Sequence, residues 1–320
     1  MSNLAMHATR VPPGLRVTQV TDDHLDRLVD LGQAVESAAF GRSECNRTEM
    51  LGTLRAPELH GTRGTVALWD ADQLAAVGLA YDALEHASGL YFDMFIHPEL
   101  AGRQEMAVCL LSAAQDYGAA LPAPAQAWVK SESFDGDTAV EAAFARLGYE
   151  QHRVYLRMRL DFDAPPVEPE PLGVDVRTMV EADWPTIHEV VTSAFMDHYD
   201  FHPEPFEVFR ENVVDETTDF GMWRMAFDGD RCVGLCLGSK RYAAHRLGYV
   251  ASLAVLREYR GRGIARFLLG DAFARDAALG YAGTALHCDA TNPTGATALY
   301  ESVGMVRDQR YTAWRRELTR

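Results

Sequence analysis

Arg260-Gly261-Arg262-Gly263-Ile264-Ala265 sets two arginines and two glycines between an apolar run at residues 249–256 and a stretch in which Ile264, Phe267, Leu268, Ala272 and Phe273 recur at helical spacing. The pattern reads as a strand, a tight turn and a helix. A glycine-rich turn that opens a helix presents unpaired backbone N–H groups and the positive end of the helix dipole to an anion. Gly261 and Gly263 let the backbone approach a ligand with no Cβ in the way. Arg260 and Arg262 add charge able to pair with phosphate oxygens. The chemistry is the anchoring of a phosphate or pyrophosphate. No Gly-Lys-Ser/Thr follows, and there is no G-x-G-x-x-G with an acidic residue on a second strand. Neither of the common nucleotide fingerprints fits.

A second segment, residues 285–304, reads as a strand at 286–290, a turn at Asn292-Pro293-Thr294-Gly295 and a helix at 296–302 that carries Tyr300 and ends before Gly304. Together the two segments carry a resemblance. Arg260-x-x-Gly263-x-Ala265 after an apolar strand resembles the acyl-CoA signature R/Q-x-x-G-x-G/A of the GNAT N-acyltransferase superfamily. Asn292 through Tyr300 to Gly304 resembles the second half of the same core, with Gly295 lengthening the Asn-to-Tyr interval by one residue. The Asn-Pro-Thr-Gly-Ala form is similar to that of the mycothiol synthase-like group, whose members are also tandem proteins with a weakened first half.

The resemblance implies an α/β protein of two tandem GNAT folds. Each would be a mixed, mostly antiparallel sheet flanked by helices, with a V-shaped splay between two strands for acyl-CoA. It implies acetyl-CoA, or another short acyl-CoA, as donor and no metal. The amides of Arg260, Gly261, Arg262, Gly263, Ile264 and Ala265 would hold its pyrophosphate. Leu253, Ala254 and Val255 would pair with the pantetheine arm, and Asn292 would fix the same arm from the next strand. Tyr300 matches the family's general acid, which protonates the departing sulfur; the alternative for such a tyrosine is packing on the sheet. No Ser or Cys lies in a nucleophile motif, so direct attack in a ternary complex is expected.

The proton acceptor is left open among His287 and Asp289, which share a strand face with Cys288 opposite, and His198, Asp200 and Glu204 in an earlier loop. That loop lies in residues 195–210, where Asp197, Asp200, Glu204 and Glu207 interleave with Tyr199, Phe201 and Phe206. In the superfamily this loop walls the acceptor pocket. Asp197, His198, Asp200 and Glu204 are therefore the candidate acceptor contacts. Carboxylates among aromatics suit a cationic amine, and a solvated acidic helix end gives the same composition. His198 and His202 are four apart, but Pro203 follows at once and speaks against a metal pair.

A chain of 320 residues with 48% hydrophobic content is long enough for two domains with sizeable cores. A formal net charge of −16 opposes nucleic acid and anionic membrane as partners. No apolar run reaches transmembrane length, and the first residues lack a secretory apolar core, so a cytoplasmic protein, monomer or homodimer, is expected. Five scattered cysteines fit reduced thiols, with Cys232 and Cys236 expected on one strand face as core residues.

Four prolines among acids at residues 161–173 read as a linker. It divides the chain into 1–160, 161–173 and 174–320. The flanks look like one plan written twice: Trp69-Asp70-Ala71-Asp72 matches Phe227-Asp228-Gly229-Asp230, and Phe144 through Gly148 matches Tyr300 through Gly304. Aligned residue by residue, Gln104, Glu105 and Met106 fall opposite Gly263, Ile264 and Ala265, and Phe144 falls opposite Tyr300. The first copy is expected to be degenerate and the second catalytic, with Tyr91, Phe92, Met94 and Phe95 as sheet core. The function this implies is N-acetylation of a small-molecule amine. A protein or peptide acceptor, or acyl-CoA sensing without catalysis, are the alternatives.

Overall fold

The computed structural model describes residues 3–56, 59, 61–82, 89–121, 127–167, 169, 172–196, 198, 201–292 and 295–318. The chain forms two compact units, one of Met1–Val154 with Gln309–Arg320 and one of Tyr155–Asp308. In chain order the elements are β1 (Leu15–Thr18), α1 (Leu25–Phe40), α2 (Arg47–Arg55), β2 (Thr65–Asp70), β3 (Gln73–Asp82), β4 (Gly89–Ile96), α3 (Arg103–Ala120), β5 (Ala127–Phe134), α4 (Thr138–Arg146) and β6 (Glu150–Asp161). The same succession then repeats as β7 (Asp175–Thr178), α5 (Trp184–Phe195), α6 (Phe206–Asn212), β8 (Thr218–Asp228), β9 (Arg231–Ser239), β10 (Leu247–Val255), α7 (Ile264–Ala278), β11 (Gly283–Asp289), α8 (Ala296–Ser302) and β12 (Val306–Leu318).

In the first unit β1 to β4 pair antiparallel in order, β4 pairs β5 in parallel, and residues 311–318 of β12 close the far side of β5. In the second, β7 to β10 pair antiparallel, β10 pairs β11 in parallel, and residues 155–161 of β6 close the far side of β11. Each sheet is thus mixed and mostly antiparallel, flanked by helices, and finished by a strand from the other repeat's sequence.

Alternation along the strands buries both faces of the second sheet. One face packs Val233, Cys236, Val250 and Leu286 under α7 and α8. The other packs Trp223, Leu235, Leu237 and Ala254 under α5, whose Trp184, Ile187, Val190 and Ala194 form its inward stripe. Cys232 and Cys236, expected on one face, lie on opposite ones. The register slips by one residue where Ala226 and Phe227 face Gly234 and Cys232, and such a bulge inverts the alternation. All five cysteines are unpaired.

In the first unit Phe92 is core, Met94 and Phe95 are half-buried, and Tyr91 is exposed, edge-on to Trp128 at 5.2 Å. Tyr91 therefore does not belong to the core expected for it. The described residues of the proline-rich segment do not hang free. A Cβ on Gly270 would come within 3.2 Å of Pro169, and one on Gly263 within 3.2 Å of Leu172, so this segment runs along α7.

Candidate active site

The parallel pairing of β10 with β11 runs only from Leu247↔Gly283 to Val250↔Leu286. Beyond it the strands part. Residues 252–255 keep β9 on one side and, among the described residues, have no strand on the other. The parting begins at a second bulge, where the β9–β10 register slips between Val250 and Ser252. A bulge leaves one residue out of the ladder and turns its neighbours. A strand with one free edge next to a bulge is suited to take up an extended ligand as an added strand.

From the end of β10 the chain enters the glycine turn. Gly261 and Gly263 have φ of 77° and 85°, the left-handed region that favours glycine, and Gly263 is the N-cap of α7. The first N–H groups of α7 have no carbonyl within the helix to bond. They open on a cleft of about 450 Å³. The cleft is lined by Leu253, Ala254 and Val255 from the free strand end, by Arg260, Gly261, Gly263, Ile264 and Ala265, by Tyr300 of α8, by Phe195 at the end of α5 and by His198 beyond it.

Arg262 lies outside the lining, stacked over Tyr259 at 4.6 Å and 3.9 Å from Asp228. Arg260 lines the cleft, but its guanidinium is engaged with carbonyls: Nε donates to Val255 O at 3.2 Å and Nη2 to Ala194 O at 2.9 Å. Those bonds direct it to the protein frame rather than to a phosphate. Sequence reasoning missed Tyr259, Leu299 and Arg266 as lining residues. Arg266 donates to Ser302 O at 3.0 Å and Ser302 Oγ at 2.7 Å, joining α7 to α8, a pairing with no local sequence signal.

Tyr300 is nearly buried, and among the described residues its hydroxyl has no hydrogen-bond partner. Burial, then the neighbouring Cys288 and Cys236 sulfurs, push its pKa well up, so the phenol keeps its proton at any working pH. His287 and Asp289 face away from Cys288, which packs in the α7–α8 core. The His287 ring is bonded through Nδ1 to the Tyr249 hydroxyl at 3.1 Å. Asp289 is spent on a turn: Thr291 N donates to its Oδ1 at 2.8 Å, and Thr291 Oγ1 donates to the same oxygen.

Asn292 sits in that turn, its N–H donating to Asp289 O at 3.3 Å, and does not line the cleft. Glu204 is also off the cleft, its carboxylate accepting from Asn212 at 3.1 Å. Asp197 and Asp200, like Pro293 and Thr294, lie outside the described residues. Among the described residues no group of three or more His, Cys, Asp and Glu could hold a metal ion.

The first unit splays in the same way. β4 and β5 pair from Gly89↔Trp128 to Phe92↔Ser131 and then part. Its details differ. The β3–β4 register runs without a slip. The helix start, marked by the left-handed Gly102 before Arg103, comes after six residues from the end of β4, against eight from β10 to α7. Gly102 therefore corresponds to Gly263, and Gln104 does not occupy that place, contrary to the residue-by-residue alignment. The turn is short by two residues, and no counterpart of Gly261 remains. Phe144, at the place of Tyr300, is fully buried and stacks on Trp314 at 5.1 Å.

The model of the acetyltransferase (GNAT) family matches residues 184–305. A GCN5-related N-acetyltransferase from Sphaerobacter thermophilus superposes with a TM-score of 0.83 at 26% identity, covering 97% of this chain and 98% of that one. The chain has the GNAT fold. A tandem GNAT protein from the clavulanic acid biosynthesis pathway follows the same two-unit plan, with a TM-score of 0.69, 15% identity, and coverage of 96% of this chain and 99% of that one. A glucosamine N-acetyltransferase region of a fungal multi-domain GH3 β-N-acetylglucosaminidase gives 0.69 at 14% identity, covering 96% of this chain and 38% of that one. No curated protein matches by sequence. The homology is to acyl-CoA-dependent GNAT acetyltransferases, and the chemistry it carries is acyl transfer in general. Among the described residues no helix is long and apolar enough to cross a membrane.

Proposed function

We propose that the second unit is an acetyl-CoA-dependent N-acetyltransferase acting on a small-molecule amine. The observation that carries the reading is the single cleft joining the glycine turn, the free edge of β10 and the Tyr300 hydroxyl. The residues fit the donor. The turn offers glycines where a Cβ would intrude and helix N–H groups for a pyrophosphate, and the free strand edge offers N–H and C=O groups for the amides of a pantetheine arm. When bound, acyl-CoA supplies an acyl group activated as a thioester.

The chain's own residues do the rest. A backbone N–H in 253–255 polarises the carbonyl. Tyr300 gives its phenolic proton to the leaving sulfur as the C–N bond forms and the C–S bond breaks. His287, held in place by Tyr249, does not line the cleft, so it takes the amine's proton through water. Phe195 and His198 wall the acceptor side. Asp289 and Glu204 are carboxylates engaged by Thr291 and Asn212, whereas His287 brings an imidazole whose other ring nitrogen can take a proton.

The first unit serves as scaffold, lacking the bulge, the second glycine and the tyrosine. Grouping the chain with the mycothiol synthase-like proteins rests on the Asn292-to-Ala296 sequence form and the tandem plan, and it leaves the acceptor open. Five unpaired thiols suit a reducing, cytoplasmic setting. Calorimetric titration with acetyl-CoA tests the reading. One site per chain is expected, with Tyr300→Phe keeping that affinity while slowing transfer to a screened amine. Two sites would overturn the assignment of the first unit, and no binding would overturn the whole. Unchanged transfer by Tyr300→Phe would remove it as the acid.

A further inference from the structure

The arginine that opens the phosphate turn is tied to two carbonyls, one at the end of β10 and one in the last turn of α5, and the two units differ in how they close the helix at that point. In the first unit α1 ends on Gly41, left-handed at φ 71°, whose N–H donates to Ser37 O. The loop after it is gathered by a residue of the same helix. Glu36 Oε2 accepts from Ser43 Oγ at 2.7 Å, Glu44 N at 2.7 Å and Cys45 N at 2.8 Å. That helix end needs nothing from the turn after β4, and the turn, His97-Pro98-Glu99-Leu100-Ala101-Gly102, contains no arginine.

In the second unit α5 ends on Met196, which keeps right-handed geometry, so no glycine cap closes the helix. Its last-turn carbonyl, Ala194 O, instead accepts from Arg260 Nη2 at 2.9 Å, across 66 residues of sequence. The same guanidinium holds Val255 O, the last residue of β10, at 3.2 Å. A guanidinium at a helix C-terminus also faces the negative end of the dipole. Immediately beyond Ala194 stand Phe195 and His198, which wall the cleft and meet at a tilt of 44° with ring centroids 4.4 Å apart.

We infer that Arg260 is a positioning residue that couples the acyl-CoA turn to the acceptor wall. An anion on the amides that follow Arg260 fixes the turn. The turn fixes the guanidinium, and the guanidinium holds the end of α5 and so places Phe195 and His198. The donor's arrival thereby orders the surface that meets the acceptor. The inference rests on the proposed acyl-CoA site, but the role it gives Arg260 differs from the one its place in the motif indicates, which is a direct phosphate contact.

The two roles separate in Arg260→Met, which keeps the length of the side chain and removes the donors, with Arg260→Lys as the conservative variant able to reach one carbonyl. Amide hydrogen exchange and acetyl-CoA titration are measured on the full chain. In the absence of ligand, Arg260→Met should speed exchange at residues 194–198 by about tenfold, the size of an ordinary coupling. In the wild type acetyl-CoA should slow exchange there, and in Arg260→Met that response should be lost while affinity for acetyl-CoA changes less than about threefold. Arg260→Lys should recover part of the response.

A tenfold or greater loss of acetyl-CoA affinity with exchange at 194–198 unchanged would overturn the inference and make Arg260 a phosphate ligand. So would a response to acetyl-CoA at 194–198 that survives in Arg260→Met. Failure of the wild type to bind acetyl-CoA would overturn the proposed function and the coupling with it. Fast exchange in unliganded Arg260→Met would still confirm the tie to α5.

Discussion

Asp276 is the buried acid on which the geometry of the splay depends, and replacing it by asparagine should change stability with a definite pH signature. It lies on α7 at 2% exposure and accepts from Thr284 Oγ1 at 2.6 Å. Thr284 faces Gly248 in the register of β11 and β10, and a Cβ on Gly248 would lie 1.9 Å from Asp276 Oδ2. The carboxyl thus presses α7 onto the two strands just before they part. Burial pushes its pKa from 3.8 to about 6, with Thr284 and Arg275 pulling the other way. Because the folded value is raised, the folded chain binds more protons than the unfolded one between those limits. Stability is therefore lost as pH rises from about 4 to about 6 and stays lost above. The span corresponds to roughly 3 kcal/mol at most.

Asp276→Asn removes the charge and keeps an oxygen to accept from Thr284. It should match the wild type near pH 4 and exceed it by about 1–3 kcal/mol at pH 7.5. Denaturant midpoints of both proteins across this range give the difference directly, since all other titrating groups cancel. A variant less stable than the wild type by the same amount at both ends would refute the argument, because it would show a carboxylate held charged by interactions asparagine cannot replace.

Gly248→Ala should be destabilised by several kcal/mol at neutral pH, because the new methyl overlaps the Asp276 carboxyl; thermal unfolding measures it. Gly263→Ala places a Cβ in a left-handed residue 3.2 Å from Leu172, and Gly261→Ala places one in a left-handed residue with no protein atom within 4 Å; about 1–2 kcal/mol of strain should lower stability and acetyl-CoA affinity in both, with the Leu172 contact adding to the loss only in Gly263→Ala. Tyr300→Phe should cut the rate constant for transfer by about 10²–10⁴-fold at unchanged acetyl-CoA affinity, read by release of free thiol. His287→Gln should slow the same assay by about 10²-fold or more, and Tyr249→Phe, which removes one hydrogen-bond partner of the ring and keeps the ring, should slow it less.

The strand, turn and helix around Arg260 could be read in the sequence because each rests on a local rule: β-length apolar run, left-handed glycines, helical spacing from Ile264. The second helix with Tyr300 was legible for the same reason. What was not legible depended on the count of residues between elements or on partners far along the chain. A bulge in β9 moved Cys232 and Cys236 to opposite faces, and nothing in their spacing shows it. The shortened turn before α3 displaced Gln104 from the place that alignment gave it, since only the left-handed glycine marks where the helix begins. Arg260 carried the charge expected of a phosphate ligand, but its acceptors, Val255 O and Ala194 O, are carbonyls that any sequence would supply. Asp289 and Glu204 read as candidate bases until their partners, Thr291 and Asn212, were in place.

The two repeats separate what the fold requires from what the chemistry requires. Both keep the parallel pair that stops after four residues, at Phe92↔Ser131 in one unit and at Val250↔Leu286 in the other, so the splay follows from the shared architecture and is not by itself evidence of a working site. The next residue on the second strand of each pair is Glu132 in the first unit and His287 in the second. An imidazole at that position can accept a proton from an amine. The bulge, the longer turn with two left-handed glycines, the histidine and the tyrosine all occur in the second unit, and none occurs in the first. Restoring any one of them in the first unit should not create activity there. Phe144→Tyr, for instance, would put a hydroxyl against Trp314 in a site still lacking the bulge and the second glycine. It should cost stability and leave one acetyl-CoA bound per chain. A second equivalent of acetyl-CoA bound by that variant would show that the tyrosine alone separates the two units, and that the differences in the turn and the bulge carry no weight.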